Sequence, residues 1–305
     1  MTGTLEDRAA RIAALGYDYA GLEKEDRRTC NLCRSEVHVE ASRTDRYGFA
    51  APLRICARCG LGFLSPRLTP AGYAHFYESV YRPLVSAYHG ERIDAVTVQD
   101  EQRDYAAGIA DFLRHTLPAP PRTIMDVGGS TGLVAGIVGE PFRAACTVLD
   151  PAPDELAIAA SAGMETIAGF AEEYDPAGRT WDLVLLCQTI DHLLDVDATL
   201  RAIRGMTAPG GHVFVDVVDL RFMMRRRGQV EGAVKVDHPF YLTRDTALAW
   251  WRVAGLEVVA ERLSEEGEWG FLLRPGAPGE PDWPRLRERA DDLLDDIWNR
   301  RAIRA

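Results

Sequence analysis

Two groups of residues in this 305-residue chain have the types and spacing of working chemistry. The first is Cys30-x2-Cys33 and Cys56-x2-Cys59, two pairs separated by 22 residues. A two-residue gap lets one turn aim both sulfurs at a single point. Four soft thiolates around a tetrahedral centre suit Zn2+. All four ligands are then protein groups, which leaves no open position for water, so the predicted ion is structural and not catalytic. A redox pair or an iron centre is the alternative for the same spacing. Gly60 follows the second pair, where tight turning is useful. The second group is Asp126-Val127-Gly128-Gly129-Ser130-Thr131-Gly132, directly after a short apolar run. An acidic residue closes a strand and small residues open a helix. Such a turn brings backbone close to a ligand, where a Cβ would obstruct.

The elements that must position these groups follow from periodicity. Leu5, Ile12 and Leu15 suggest a short first helix. Val37, Val39, Tyr47 and Phe49 alternate as short strands do within the cysteine region. A helix is predicted from about residue 96 to 115, and the proline-rich stretch 117–122 marks a boundary. Strands and helices then alternate. Strands are predicted at 123–127, 144–149, 165–168, 181–187 and 212–216, and helices at 133–138, 154–162, 196–206 and 243–254. Thr243 is a plausible cap. The run Leu183-Val184-Leu185-Leu186 suits a strand buried on both faces. Pro209-Gly210-Gly211 reads as a tight turn into the fifth strand, and 256–260 with 270–273 as a closing antiparallel pair. Leu286, Ala290, Leu293, Leu294, Ile297 and Trp298 stripe a terminal helix, which can pack in cis or across a dimer. This pattern predicts an α/β class with a doubly wound, Rossmann-like sheet and an N-terminal zinc-binding module. The expected division is 1–67 for the zinc module, 68–118 for a helical linker and acceptor-site cover, 119–275 for the catalytic domain and 276–305 for a helical extension.

In this order the strand ends acquire roles. Asp126 can orient loop amides or accept from a ligand's amino group. Asp150 ends the second strand, where a carboxylate can accept hydrogen bonds from both ribose hydroxyls; otherwise Asp150-Pro151 is a turn. The Asp-x-Gly-x-Gly-x-Gly pattern, with Ser130 at the middle glycine, resembles the cofactor loop of class I S-adenosylmethionine-dependent methyltransferases. Trp181–Gln188 followed by Ile190-Asp191-His192-Leu193 resembles their fourth strand and the loop after it. Arg204–Gly211 resembles their helix and Pro-Gly-Gly turn before strand five. The resemblance covers roughly 119–275 and implies a seven-stranded methyltransferase sheet. It places Asp126, Gly128, Gly129, Ser130, Gly132, Asp150, Phe170, Ala171, Cys187 and Gln188 around S-adenosylmethionine. Phe170 would pack on the adenine, where the family often uses an acidic side chain.

With the cysteine pairs included, the chain is similar to a narrower group, bacterial methyltransferases with an N-terminal four-cysteine zinc domain. That group includes C-methyltransferases of nucleotide-linked deoxysugars. Cys56-Ala57-Arg58-Cys59-Gly60-Leu61-Gly62-Phe63 fits its second knuckle. The resemblance puts Tyr77, Tyr81 and Arg82 over the acceptor, although core packing or an ordinary surface arginine serves equally well. Asp237-His238 resembles the Glu-His pair of the sugar enzymes' acceptor site. The well-known members carry a long C-terminal domain that this chain lacks, so a smaller acceptor and O- or N-methylation stay open. A proton-accepting imidazole suits a weak acceptor near neutral pH. His238, adjacent in sequence to Asp237 and supported by His192 after strand four, is the candidate. Arg225, Arg226 and Arg227 are expected on a loop after strand five, as a diphosphate receptor or a solvated charge run.

Composition limits the partners. A net charge of -11 argues against general nucleic-acid binding, and 47% apolar content is ample for a sizeable core. No stretch has the length of a membrane span, and the first residues do not read as a signal peptide. Cys146 and Cys187 read as buried strand residues. The expected protein is a cytoplasmic enzyme, monomer or homodimer. It is expected to methylate a small polar metabolite such as a nucleotide-linked sugar in natural-product or surface-polysaccharide biosynthesis. A nicotinamide-dinucleotide oxidoreductase is the competing enzyme, and a non-catalytic zinc-ribbon protein the third reading.

Overall fold

The computed structural model describes residues 5–93 and 95–302. The chain forms two compact units, each interrupted in sequence. One comprises Met1–Asp94, Asp219–Thr246 and Asp282–Ala305; the other comprises Ala95–Val218 and Ala247–Pro281.

The second unit is built on seven strands: β1 (Thr123–Val127), β2 (Ala145–Asp150), β3 (Glu165–Ala168), β4 (Trp181–Leu186), β5 (Thr207–Val218), β6 (Leu256–Leu263) and β7 (Glu268–Pro275). Their order across the sheet is β6-β7-β5-β4-β1-β2-β3. The five strands from β5 to β3 are parallel neighbours, and β7 joins antiparallel between β5 and β6. The order reverses at β1, with β2 on one side and β4 on the other. The crevice outside the carboxyl ends of such strands is where open α/β sheets take ligands. Leu183, Val184, Leu185 and Leu186 are fully buried, which is why this run carries no polar alternation. Helix Ala95–Thr116 contributes Ala106, Ile109 and Leu113, and helix Leu133–Gly139 contributes Val134 and Val138, to one core with Ile124, Leu183, Leu185 and Phe214.

The Pro209-Gly210-Gly211 segment differs from the expected tight turn. It lies within β5, whose pairing with β4 shifts register between Thr207 and His212, and Gly210 takes φ +78° there. The glycines relieve a bulge and the chain does not reverse.

The first unit holds a four-stranded sheet whose strands are His38–Ser42, Leu53–Cys56, Gly62–Leu64 and Phe240–Tyr241. Tyr47 and Phe49, expected on strands, lie in the loop between the first two. Both of their amides donate to Asp45 Oδ1 at 2.9 Å, which ties the loop to a side chain instead of a ladder. Helices Pro70–His75 and Tyr81–His89 are joined by a π-helical turn at Phe76–Val80, and helix Ala95–Thr116 follows in the chain. Arg225, Arg226 and Arg227, expected on a loop, form the last turn of helix Leu220–Arg227, capped by the Asp219 carboxylate. The terminal helix, Trp283–Ala302, buries Leu286, Ala290, Leu293, Leu294 and Ile297, while Trp298 stays 42% exposed and falls off the stripe. A Cβ on Gly60 would come 3.4 Å from Ala290 Cα, so the helix packs in cis on the turn after the second cysteine pair.

These contacts make the units cut across the contiguous ranges read from the sequence. Phe240 and Tyr241 pair with Phe63 and Gly62, and Val236 N–H donates to Asp45 Oδ2 at 3.0 Å. The 219–246 and 282–305 stretches thus complete the N-terminal unit.

Candidate functional site

In the sheet unit, the loop after β1 has three consecutive even-numbered residues with left-handed backbone: Gly128 (φ +71°), Ser130 (φ +51°) and Gly132 (φ +74°). The glycine clearance serves protein neighbours. A Cβ on Gly128 would lie 2.6 Å from Thr189 Cγ2, in the loop after β4. One on Gly129 would lie 2.6 Å from Asp126 Cγ, and one on Gly132 would lie 2.6 Å from Met164 Sδ. Ser130 carries the conformational cost, roughly 1–2 kcal/mol for a residue with a Cβ. Two contacts offset it. Its N–H donates to Asp150 Oδ2 at 2.9 Å and its hydroxyl donates to Glu155. Asp150 Oδ1 accepts from Ala152 N–H at 2.9 Å. The carboxylate at the end of β2 therefore clamps both the loop and its own turn.

Asp126 is 1% exposed, and neither of its oxygens makes a well-formed hydrogen bond. Burial pushes its carboxyl up to about 7; the Ala135 amide opposes this and the neighbouring Asp150 charge adds to it. A buried, underused acceptor at a strand end is costly without a partner.

Phe170 follows β3 with 42% of its surface exposed, while Ala171 beside it is half-buried. Gly169 N–H donates to the Asp150 carbonyl, which holds this segment against the end of β2. The acidic side chain here, Glu172, is committed elsewhere, since it accepts from Leu194 N–H at 2.8 Å. Cys187 is buried just past β4, and burial pushes its thiol well up, as befits an inert residue. Cys146 is only half-buried, on β2. Gln188 takes φ +49°; its N–H donates to Asp216 Oδ1 at 2.7 Å and its side chain to Glu268 at 3.1 Å. Tyr105 donates to the other oxygen of Asp216. Burial and the Glu268 charge push Asp216 up to about 7. Tyr105, Asp216, Glu268 and Glu155 are absent from the sequence-derived set. Asp216 carries the signal that found Asp126 and Asp150, an acid closing an apolar strand; Tyr105, 111 residues away on a helix, carries none. His192 ends a short turn, Ile190–His192, and is half-buried; Asp191 beside it is buried.

In the other unit, all four cysteines are buried, and their sulfurs lie within 4.8 Å of one another. Cys30 Sγ is 3.6 Å from Cys59 Sγ, and Cys33 Sγ is 3.5 Å from Cys56 Sγ. These are far longer than a disulfide and close to the edge, roughly 3.8 Å, of a tetrahedron with metal–sulfur bonds of about 2.3 Å. Each pair sits on the same turn. Arg34 N–H donates to the Cys30 carbonyl at 3.0 Å and Gly60 N–H to the Cys56 carbonyl at 2.8 Å, with φ +61° and +80°. Shared hydrogen bonds push Cys33 and Cys56 down and Cys30 and Cys59 up, so without a cation the four cannot all be thiolates.

The same unit holds Tyr77, Tyr81, Arg82, Asp237 and His238. Tyr77 donates to the Asp237 carbonyl at 2.9 Å and packs edge-on with Tyr81 at 5.6 Å; the Arg82 guanidinium lies 5.5 Å from the Tyr81 ring. Asp237 is fully buried and His238 is 7% exposed. His238 Nε2 lies 2.7 Å from Lys235 Nζ and 3.6 Å from Asp237 Oδ2. An ammonium only donates, so Nε2 accepts in this contact. Lys235 was missed because a lone lysine three residues from a histidine carries no motif. Arg225 is exposed and reaches Asp296 on the terminal helix at 3.5 Å.

The chain belongs to the methyltransferase domain family, which it matches over residues 99–261, more than half its length. The sheet unit is a class I S-adenosylmethionine-dependent methyltransferase domain. It is 29% identical over 102 residues to the ubiquinone biosynthesis O-methyltransferase of Rhizobium leguminosarum bv. trifolii, covering 32% of this chain and 40% of that protein. With the protein of the same name from Methylobacterium nodulans it shares 32% over 114 residues, 33% of this chain and 43% of that one. The chain thus spans about two-fifths of the length of the curated relatives it matches. Among solved structures, PH0226 from Pyrococcus horikoshii OT3 aligns with a TM-score of 0.50 and 16% identity over 57% of this chain and 91% of that chain, a likeness of fold alone. No helix among the described residues is long and apolar enough to cross a membrane.

Proposed function

We propose that this protein transfers the methyl group of S-adenosylmethionine to a small polar metabolite. The observation that carries the reading is the pairing of Asp126 and Asp150 at the ends of adjacent strands beside the switch point. Asp126 is a buried acceptor with unused capacity, and Asp150 clamps both the loop and its own turn. The donor supplies a sulfonium-activated methyl; its C–S bond breaks as the acceptor–carbon bond forms, and the electron pair returns to sulfur. The chain's part is alignment and, for a weakly acidic acceptor, proton removal. Asp150 would hold the ribose, Phe170 the adenine face, and the backbone of Gly128, Gly129, Ser130, Gly132, Ala171, Cys187 and Gln188 the rest. His192 and His238, with Asp237 beside it, are the candidate bases, each to be tested alone.

The acceptor we favour is a nucleotide-linked sugar, on the resemblance of the Asp237-His238 segment and the cysteine module. Tyr77, Tyr81, Arg82 and Arg225 are the candidate contacts. Methylation at oxygen has a specific point in its favour, since the curated relatives named above are O-methyltransferases. The four cysteines would hold one structural Zn2+. Mass measurement of the intact protein after mixing with S-adenosylmethionine or a nicotinamide dinucleotide tests the donor. Retention of the dinucleotide and not of S-adenosylmethionine would replace this reading with the oxidoreductase.

A further inference from the structure

Arg8 and Arg46 of the cysteine-bearing unit flank one tyrosine, and Arg227, next to Arg226, lies within electrostatic reach of both. Tyr88 is buried at the end of helix Tyr81–His89. The Arg8 guanidinium lies 4.2 Å from its ring centroid, and Arg8 Nε donates to its carbonyl at 3.1 Å. The Arg46 guanidinium lies 5.3 Å from the same ring, and Arg46 Nε is buried with no hydrogen-bond partner. Arg226 and Arg227 end helix Leu220–Arg227. Arg227 is surface-exposed yet crowded: partial burial, then the charges of Arg46, Arg226 and Arg8, push its guanidinium below the ordinary arginine range.

Among the described residues, no salt bridge joins Arg8, Arg46, Arg226 or Arg227 to an acid; Arg225, one residue earlier, pairs with Asp296. The adjacent acid, Asp45, is spent on the amides of Tyr47, Phe49 and Val236, and burial pushes it up to about 7. Two helix C-termini meet the cluster, Tyr81–His89 and Leu220–Arg227. Each supplies about half a negative charge, so together they offset roughly one of four cations. A chain with net charge -11 has acids to spare, and leaves this cluster without one.

We propose that Arg8, Arg46, Arg226 and Arg227 form a binding site for a diphosphate group. Guanidinium forks match phosphate oxygens two at a time, and a multivalent anion offsets the repulsion that the protein leaves uncompensated. Arg8 spends Nε on the Tyr88 carbonyl, which leaves its two terminal nitrogens for a ligand. The anion site stands on these contacts alone. Its assignment to the diphosphate of a nucleotide-linked methyl acceptor rests on the function proposed above.

Titration calorimetry of the full chain with inorganic pyrophosphate tests the site. Saturable binding that weakens with added salt is expected. Arg227→Gln, on the surface, and Arg46→Lys, which keeps charge and loses the fork, should each weaken it about ten-fold or more, the scale of a lost charge-assisted hydrogen bond. Arg114→Gln, which removes one charge elsewhere, should leave it unchanged. Absence of pyrophosphate binding, or equal affinity in all three variants, overturns the proposal. S-adenosylhomocysteine is titrated into the same samples. Donor binding without pyrophosphate binding sinks the anion site and leaves methyl transfer standing. Pyrophosphate binding without donor binding does the reverse. A uridine diphosphate arm that binds no tighter than pyrophosphate overturns the nucleotide-linked assignment.

Discussion

Asp150 Oδ2 accepts the amide of Ser130 at 2.9 Å, across twenty residues of chain, and so holds the loop's left-handed non-glycine residue in that conformation. The carboxylate assigned to the donor is also the carboxylate that shapes the donor's loop.

Asp150→Ala should weaken S-adenosylmethionine binding by ~1.5–3 kcal/mol, the scale of charge-assisted hydrogen bonds lost. Asp150→Asn keeps an acceptor for the Ser130 amide and should lose less. Calorimetry reads both; unchanged affinity in a folded Asp150→Ala protein removes the ribose role.

Three buried acids, Asp45 in the cysteine-bearing unit and Asp126 and Asp216 in the sheet unit, make stability pH-dependent in an unusual direction. Each is pushed up to about 7 when folded, against about 3.9 in an unfolded chain. Between those values the folded state binds more protons than the unfolded state. Their contribution is therefore full below about pH 4 and is lost as pH rises through about 7. Thermal melts from about pH 5 to 8.5 should show the donor-free protein declining with pH. Asp126→Asn or Asp216→Asn should flatten that slope, and a slope identical to wild type in both variants contradicts the assignment.

Elemental analysis should find about one zinc per chain, lost when Cys30, Cys33, Cys56 and Cys59 are all replaced. Chelation should destabilise the cysteine-bearing unit first, because metal-binding free energy is part of its folding free energy. Stoichiometric zinc in the four-cysteine variant would place the ion elsewhere.

His238→Ala should bind donor nearly normally and lose turnover, general-base catalysis commonly contributing ~10²–10⁴-fold. His192→Ala should show a smaller defect. Single-turnover methyl transfer at saturating acceptor, compared across pH, separates the two. Near-normal rates throughout in the His238 variant assign proton removal to another group. Lys235→Met, which removes the 2.7 Å donor to Nε2, should lower turnover without abolishing it.

Local pattern made the sheet legible. The β1, β3 and helix 196–206 boundaries coincide with their sequence-based expectations, because each has a breaker or cap at its edge, Gly128, Gly169 and Asp195. The cysteine cluster was legible because spacing alone constrains the sulfurs. Long-range pairing was not legible. Phe240–Tyr241 is a two-residue strand whose partner lies at 62–63, too short to show periodicity. Tyr105 meets Asp216, and Arg8 meets Tyr88, through folding that no window of sequence contains. Arg225 to Arg227 read as one uniform charge run, yet a helical turn sends Arg225 to Asp296 while Arg227 lies within electrostatic reach of Arg46 and Arg8.

The contact between Gly60 and Ala290 sets an order of events during synthesis. The cysteine turns leave the ribosome early, and the helix that lies on them is made only after all seven strands of the sheet unit. At about 5–20 residues per second that interval is on the order of tens of seconds. During it the nascent thiols lack that cover and are open to oxidants and to competing metals. Early metal capture would therefore protect the chain well before the fold can.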